Sequence, residues 1–357
     1  MVAVADVFDD LIGHSQVIDL LRSELRNPAQ AYLFVGPAST GKASAARRFA
    51  AALLCGSESH CTQRVMKGNH PDVVLVEPQG RRSITVDQTR HTVAQASLAP
   101  LEGVNKVFLF EEGGLMNDEA ANALLKTLEE PTRSTIFILV AESDDDLPET
   151  VASRCRSVVF GRVAEEEVRD GLISLGIEAE AAAQAARISG GRPGLARALA
   201  TEPEVAAYRR VWLSIPLQLP EHPGDAFSLA EEVVDAAEPL LAAVKKRHAE
   251  EAESFRAEGG LGKALQERHD RALKRASTAL YVSGLEILAG FYRDAAAAQF
   301  GGSIRNTDVP PNAFMTVHPS RAIRNAERVL DTIDSLHANQ RPPLAFATLF
   351  SDLSGDA

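Results

Sequence analysis

The pattern of apolar positions changes character once along the chain. Up to about Arg162, short unbroken apolar runs alternate with stretches of helical periodicity. Residues 31–36 (AYLFVG), 73–77 (VVLVE), 107–111 (VFLFE) and 135–141 (TIFILVA) are the runs. Continuous apolar stretches of this length are expected of strands covered on both sheet faces. Between the last two, Ala121, Leu124, Leu125 and Leu128 share one face of a helix predicted over 118–130, with Asn117 as its N-cap and Pro131 as its stop. Another helix is expected over 88–97, capped by Asp87. This alternation predicts an α/β fold with a mostly parallel sheet over residues 1–162.

Beyond Arg162 the pattern turns helical. Ala-rich periodic segments run to about Ala200, broken at Leu175-Gly176 and over 189–194 (SGGRPG), and predict a small helical domain at 163–203. Residues 204–357 read as a larger all-helical domain, interrupted at 216–223 and 301–311. Within it, residues 240–283 are dense in charge of both signs. A solvated helical hairpin turning at Gly259-Gly260 fits that pattern; a phosphate-contacting stripe of Arg268, Arg271 and Arg275 on one face is the alternative.

Composition narrows the function. The 357 residues carry 37 Lys+Arg against 49 Asp+Glu, a net charge of −12, which argues against a general nucleic-acid coat built on phosphate neutralisation. With 5% aromatic residues, a base-stacking platform is not expected either. No apolar stretch approaches the ~20 residues of a membrane span. The first ten residues hold Asp6, Asp9 and Asp10 and no basic residue, unlike a targeting signal. Cys55, Cys61 and Cys155 are an odd set in a long chain, which speaks against a disulfide framework and for a reducing, cytoplasmic setting.

The strongest chemical motif is residues 36–43 (GPASTGKA), between a predicted strand and a predicted helix. A phosphate loop needs Gly36 and Gly41 so that backbone N–H groups wrap the phosphates, Lys42 to reach the terminal ones, and a hydroxyl to hold Mg²⁺. The hydroxyl position is Ala43, and Ser44 points about 100° away round the helix. The metal-side acid should close a later strand; Glu111 stands there, followed by Glu112, Gly113 and Gly114. Glu111 is one methylene longer than an Asp. Nucleotide binding without productive Mg²⁺ is the expectation.

Further segments resemble the bacterial clamp-loader family of AAA+ proteins. They are residues 120–131 (AANALLKTLEEP), residues 147–155 (LPETVASRC) with its Ser153-Arg154-Cys155, residues 8–14 (FDDLIGH), and residues 190–194 (GGRPG). The charged helices, with Glu267-Arg268-His269 and residues 291–295 (FYRDA), are similar to the C-terminal domain of actinobacterial delta-prime subunits of DNA polymerase III. The delta-prime branch fits better than the motor branch, because the phosphate site is degraded while Ser-Arg-Cys is intact.

The resemblance implies an AAA+ core, a helical lid and a helical collar for assembly. It implies that Arg154 is an arginine finger reaching the nucleotide of a neighbouring subunit, a role suited to a permanently charged guanidinium. Read without the resemblance, Arg154 is a helix-end arginine paired with a local carboxylate such as Glu149. Arg192 falls at the second-sensor position, and no Thr or Asn stands at the first-sensor position near Ala141-Glu142. The implied partners are the motor (gamma/tau) and clamp-opening (delta) subunits, the sliding clamp and primed DNA, with Arg90 as the candidate phosphate contact and no membrane. Family members often carry a four-cysteine zinc module; here Cys55 and Cys61 with His60 and His70 are an eroded set, and no zinc is expected. Two rivals remain: an active motor ATPase, and a different AAA+ DNA machine such as a branch-migration protein.

Overall fold

The computed structural model describes residues 6–56, 58–78, 84–130, 132, 134–220, 222–257, 263–338 and 340–355. The chain forms two compact units that divide between Arg197 and Ala198.

The first unit is built in the order α1 (Ser15–Glu24), β1 (Ala31–Val35), α2 (Lys42–Cys55), α3 (Ser59–Met66), β2 (Val73–Leu75), α4 (Val86–Ala96), β3 (Lys106–Phe110), α5 (Asp118–Glu129), β4 (Thr135–Val140), α6 (Glu149–Ala152), β5 (Arg156–Val159), α7 (Glu165–Ser174), α8 (Ala179–Ser189) and α9 (Pro193–Thr201). The five strands pair in the order β2-β3-β4-β1-β5, every pair parallel. Successive side chains on a strand point to opposite faces, and both faces here are covered. Tyr32, Phe34, Ile136 and Ile138 pack with Phe49 of α2 and Leu21 of α1. Leu33, Val35, Phe137 and Leu139 pack with Ala120, Leu124 and Leu128 of α5. This double burial is why β1, β3 and β4 read as unbroken apolar runs.

The structure moves some boundaries. Asn117 caps α5 as predicted, its side chain accepting from Ala120 N–H at 2.8 Å; the predicted stop, Pro131, lies outside the described residues. The cap of α4 is Thr85 rather than Asp87, and the Gln88 side chain accepts from Thr85 N–H at 3.1 Å. Asp87 sits in the first turn, where its charge suits the helix dipole without capping it. Strand β5, absent from the sequence reading, is an edge strand with only Val158 buried, so it carries almost no hydrophobic signal.

The second unit is helical: α10 (Pro203–Ser214), α11 (Pro223–Asp235), α12 (Glu238–Ala257), α13 (Lys263–Ala298), α14 (Pro311–Phe314), α15 (Pro319–His337) and α16 (Pro342–Ser354). Its core gathers Trp212, Val233, Leu288, Phe291, Val329 and Phe346. Gly284, mid-helix in α13, makes room for the Trp212 indole, since a Cβ there would lie 2.0 Å from the ring. In the charged segment, α12 and α13 meet through parallel-stacked His248 and His269 rings, 4.2 Å apart. The turn at Gly259-Gly260 and the side chains of Glu267, Arg268, Arg271 and Arg275 lie outside the described residues.

Candidate functional site: a self-satisfied phosphate loop and an exposed arginine

The loop from Gly36 to Gly41 leaves the C-terminal end of β1, between β4 and β5, where an open parallel sheet places its ligand crevice. Gly36 has φ 146°, and a Cβ there would sit 2.0 Å from the Phe160 carbonyl oxygen, so only glycine fits. Its N–H donates to the Glu142 carbonyl at 3.1 Å, and Ser39 is left-handed at φ 59°. Thr40 Oγ1 donates to Pro37 O at 2.8 Å, and His14 Nε2 donates to Thr40 O at 2.8 Å.

The loop spends its polar groups on itself. Lys42 is buried, and its Nζ donates to the Gly36 and Pro37 carbonyls at 2.6 and 2.7 Å. Burial lowers the Lys42 pKa, with Glu142 and Asp146 opposing that shift from close by. At the tip, Ser39 O accepts from Gly194 N–H at 3.2 Å, which ties the loop to the start of α9. Arg192, the second-sensor candidate just before it, donates from Nε to Ser189 O at 3.1 Å.

On the metal side, Glu111 follows β3 and is largely shielded from solvent. Its carboxylate is gripped by the Arg47 fork from α2: Nε donates to one oxygen, Nη2 to the other at 2.6 Å. Glu112 is exposed, and Ala43, Gly113 and Gly114 offer no side-chain oxygen. Mg²⁺ requires near-octahedral oxygen ligation. A methyl group, two glycines and a carboxylate already paired with a guanidinium do not fit that ion.

Arg154 lies on the turn after α6, half-exposed. Its Nη1 donates to Thr150 O at 2.8 Å and its Nη2 to Glu129 Oε1 at 2.5 Å. The local carboxylate that holds it is therefore Glu129 at the end of α5, not Glu149. Neighbouring Cys155 packs against the α5 side of the sheet, and burial pushes its thiol up to about 12. Of the residues singled out by sequence, Gly36, Gly41, Lys42 and Ala43 lie on the connection from β1 into α2, and Glu111 pairs with Arg47 of that same helix.

Residues 13–164 match the family described as DNA polymerase III, delta subunit. That segment belongs to the clamp-loader AAA+ family. Among relatives, the DNA polymerase III subunit delta' of Pseudomonas aeruginosa is 40% identical over 136 residues, covering 36% of this chain and 42% of the relative. The delta' subunit of Bacillus subtilis is 36% identical over 152 residues, covering 41% and 46%. The tau subunit of Bacillus subtilis is 32% identical over 171 residues, covering 45% and 30%. The chain thus spans less than half the length of these relatives.

Two features of this clamp-loader domain escaped the sequence reading. Cys55 and Cys61, expected as free thiols, form a disulfide between the end of α2 and α3. His70 brings a ring nitrogen within 4.8 Å of both sulfurs, while His60 stays exposed outside the group. Structural zinc takes four donors, with its cysteines as thiolates; a disulfide and one imidazole do not fit it. The second feature is Asp72, fully buried, which accepts backbone N–H groups from Leu101, Glu102 and Gly103 at 2.6, 2.8 and 2.8 Å. His70 Nδ1 accepts from Asp72 N–H at 3.1 Å, so the His70-Pro71-Asp72 segment is a brace for the loop before β3. Arg90 is exposed on α4, 3.7 Å from Asp87. Among the described residues, no helix is long and apolar enough to cross a membrane.

Proposed function

We propose that this chain is a delta'-type subunit of the DNA polymerase III clamp loader: a largely non-hydrolysing AAA+ subunit that lends an arginine to its neighbour. The observation that carries the reading is an asymmetry within one domain. The metal side of its own phosphate loop is taken by an internal ion pair, while Arg154 stays on an exposed turn, held by one surface carboxylate. A fixed guanidinium is suited to the charge that develops on a transferring phosphoryl group, and such fingers are worth roughly 10³–10⁵ in rate elsewhere.

In this reading residues 163–203 act as a lid and 204–357 as the collar through which the subunits assemble. Partners are the gamma/tau motor, the delta clamp opener, the sliding clamp and primed DNA, with Arg90 among the phosphate contacts, and the work is done in the cytoplasm. ATP or ADP sits at the loop without productive Mg²⁺, and no zinc is required. The test is Arg154→Ala in a complex reconstituted with motor and clamp-opening subunits. Assembly should persist while turnover at the adjoining motor site falls on the order of 10³-fold; unchanged turnover would remove Arg154 from the mechanism.

A second reading, an active motor ATPase, is favoured by the retained Lys42 and by the similarity to a tau subunit. Mg²⁺-dependent ATP turnover by the isolated chain, abolished in Lys42→Ala, would establish it.

A further inference from the structure

The pairing of Arg47 with Glu111 has a consequence for what the loop can bind. Arg47 lies four residues after Ala43 on α2, so the two share a helix face with Cβ atoms about 5–6 Å apart. The partner of Glu111 comes from position 47 and not from position 43: the Arg47 fork takes both of its carboxylate oxygens. The extra methylene of Glu111, relative to aspartate, extends the carboxylate toward α2. Glu77, after β2, adds a second negative charge facing Arg47. A bidentate guanidinium–carboxylate pair is among the stronger side-chain contacts. A divalent cation at Glu111 would have to break both of its bonds and then sit beside a fixed positive charge.

We propose that Arg47 is the resident cation of this phosphate loop: its guanidinium replaces the divalent metal at Glu111, so that a nucleoside polyphosphate binds there independently of metal. The inference rests on the degenerate-loop reading above and adds the residue that enforces it. Ala43 alone does not explain the loss, because restoring a hydroxyl at 43 leaves Glu111 paired.

The experiment compares five proteins: the native chain, Ala43→Ser, Arg47→Met, Ala43→Ser/Arg47→Met and Ala43→Ser/Arg47→Gln. Each is first checked for native helix content by circular dichroism, and two replacements at 47 guard against a packing artefact of either one. The readout is the Tm in ATPγS, with Mg²⁺ and with chelator. In the native chain and in Ala43→Ser, Mg²⁺ should add nothing to the Tm. In both double variants it should add about 3–6 °C, the shift a tenfold gain in affinity gives a unit of this size. A Mg²⁺-dependent shift in Ala43→Ser with Arg47 in place would overturn the inference. So would the absence of a shift in both folded double variants. These outcomes differ from failure of the underlying reading, which would appear as Mg²⁺-dependent ATP hydrolysis by the native chain.

Discussion

Replacing Asp72 by Asn tests how the loop that leads into the phosphate-site strand is held. The buried Asp72 carboxylate accepts three backbone N–H bonds, at 2.6, 2.8 and 2.8 Å. Asn offers one acceptor oxygen in the same volume and turns two donors toward that nest of N–H groups. At least one backbone N–H and the new amide then lack partners. Each buried unpaired group costs about 1–3 kcal/mol, giving a loss of about 2–6 kcal/mol. For a unit of this size that lowers the Tm by roughly 4–24 °C. The direct assay is amide hydrogen exchange of residues 98–105 at neutral pH, where protection should fall by orders of magnitude at Leu101, Glu102 and Gly103. The pH dependence has a fixed sign. Burial would raise the Asp72 pKa, but the three N–H bonds and nearby His70 outweigh it and hold the carboxyl below its ordinary value. Its stabilisation is therefore present above the unfolded pKa, about 3.9, and is lost as pH falls through the lower folded value. The gap between native chain and Asp72→Asn should narrow below about pH 4. Equal protection of the three amides in both proteins at pH 7 would show that the Asp72 carboxylate does not hold this loop.

Reduction of the disulfide is expected to cost the first unit about 2 kcal/mol, since the bridged loop is short. Thermal melts with and without reductant measure this, and alkylation of the unfolded, unreduced chain should modify Cys155 alone. In the second unit, Arg209 is buried and bonds to Asp308 at 2.8 and 3.0 Å and to Asn306 at 2.5 Å. Arg209→Met unpairs Asp308 and takes a donor from the buried Asn306, and should cost about 1–3 kcal/mol in urea unfolding followed by tryptophan fluorescence of Trp212. A loss below about 1 kcal/mol would mean that solvent compensates the charge at this site.

How much of this was legible depends on how local the signal is. β1, β3 and β4 announce themselves because both their faces are buried, and Asn117 caps α5 because that bond spans three residues. β5 does not, because Arg156, Ser157 and Val159 are exposed and only Val158 is buried. The tight connection from β1 into α2 was readable from Gly36 and Gly41, whose positive φ angles the turn requires. Its ion pair was not: Arg47 reads as an ordinary polar helix position, and its partner Glu111 lies 64 residues away. Arg154 was singled out, but its contact with Glu129 depends on how α5 and the turn after α6 approach in space. An odd number of cysteines pointed to free thiols, whereas the packing of α3 on α2 brings Cys55 and Cys61 into bonding distance. Asp72 likewise shows its role only once the loop before β3 folds over it.

On the proposed reading, Arg154 serves a neighbour's nucleotide while the loop holding Lys42 supports no metal-dependent turnover of its own. The most direct measurement is ATP turnover by the reconstituted clamp loader carrying either Arg154→Ala or Lys42→Ala in this chain, with assembly verified by mass in both. Arg154→Ala should sharply reduce turnover, while Lys42→Ala should leave it unchanged. Turnover that survives Arg154→Ala and fails with Lys42→Ala would contradict that reading.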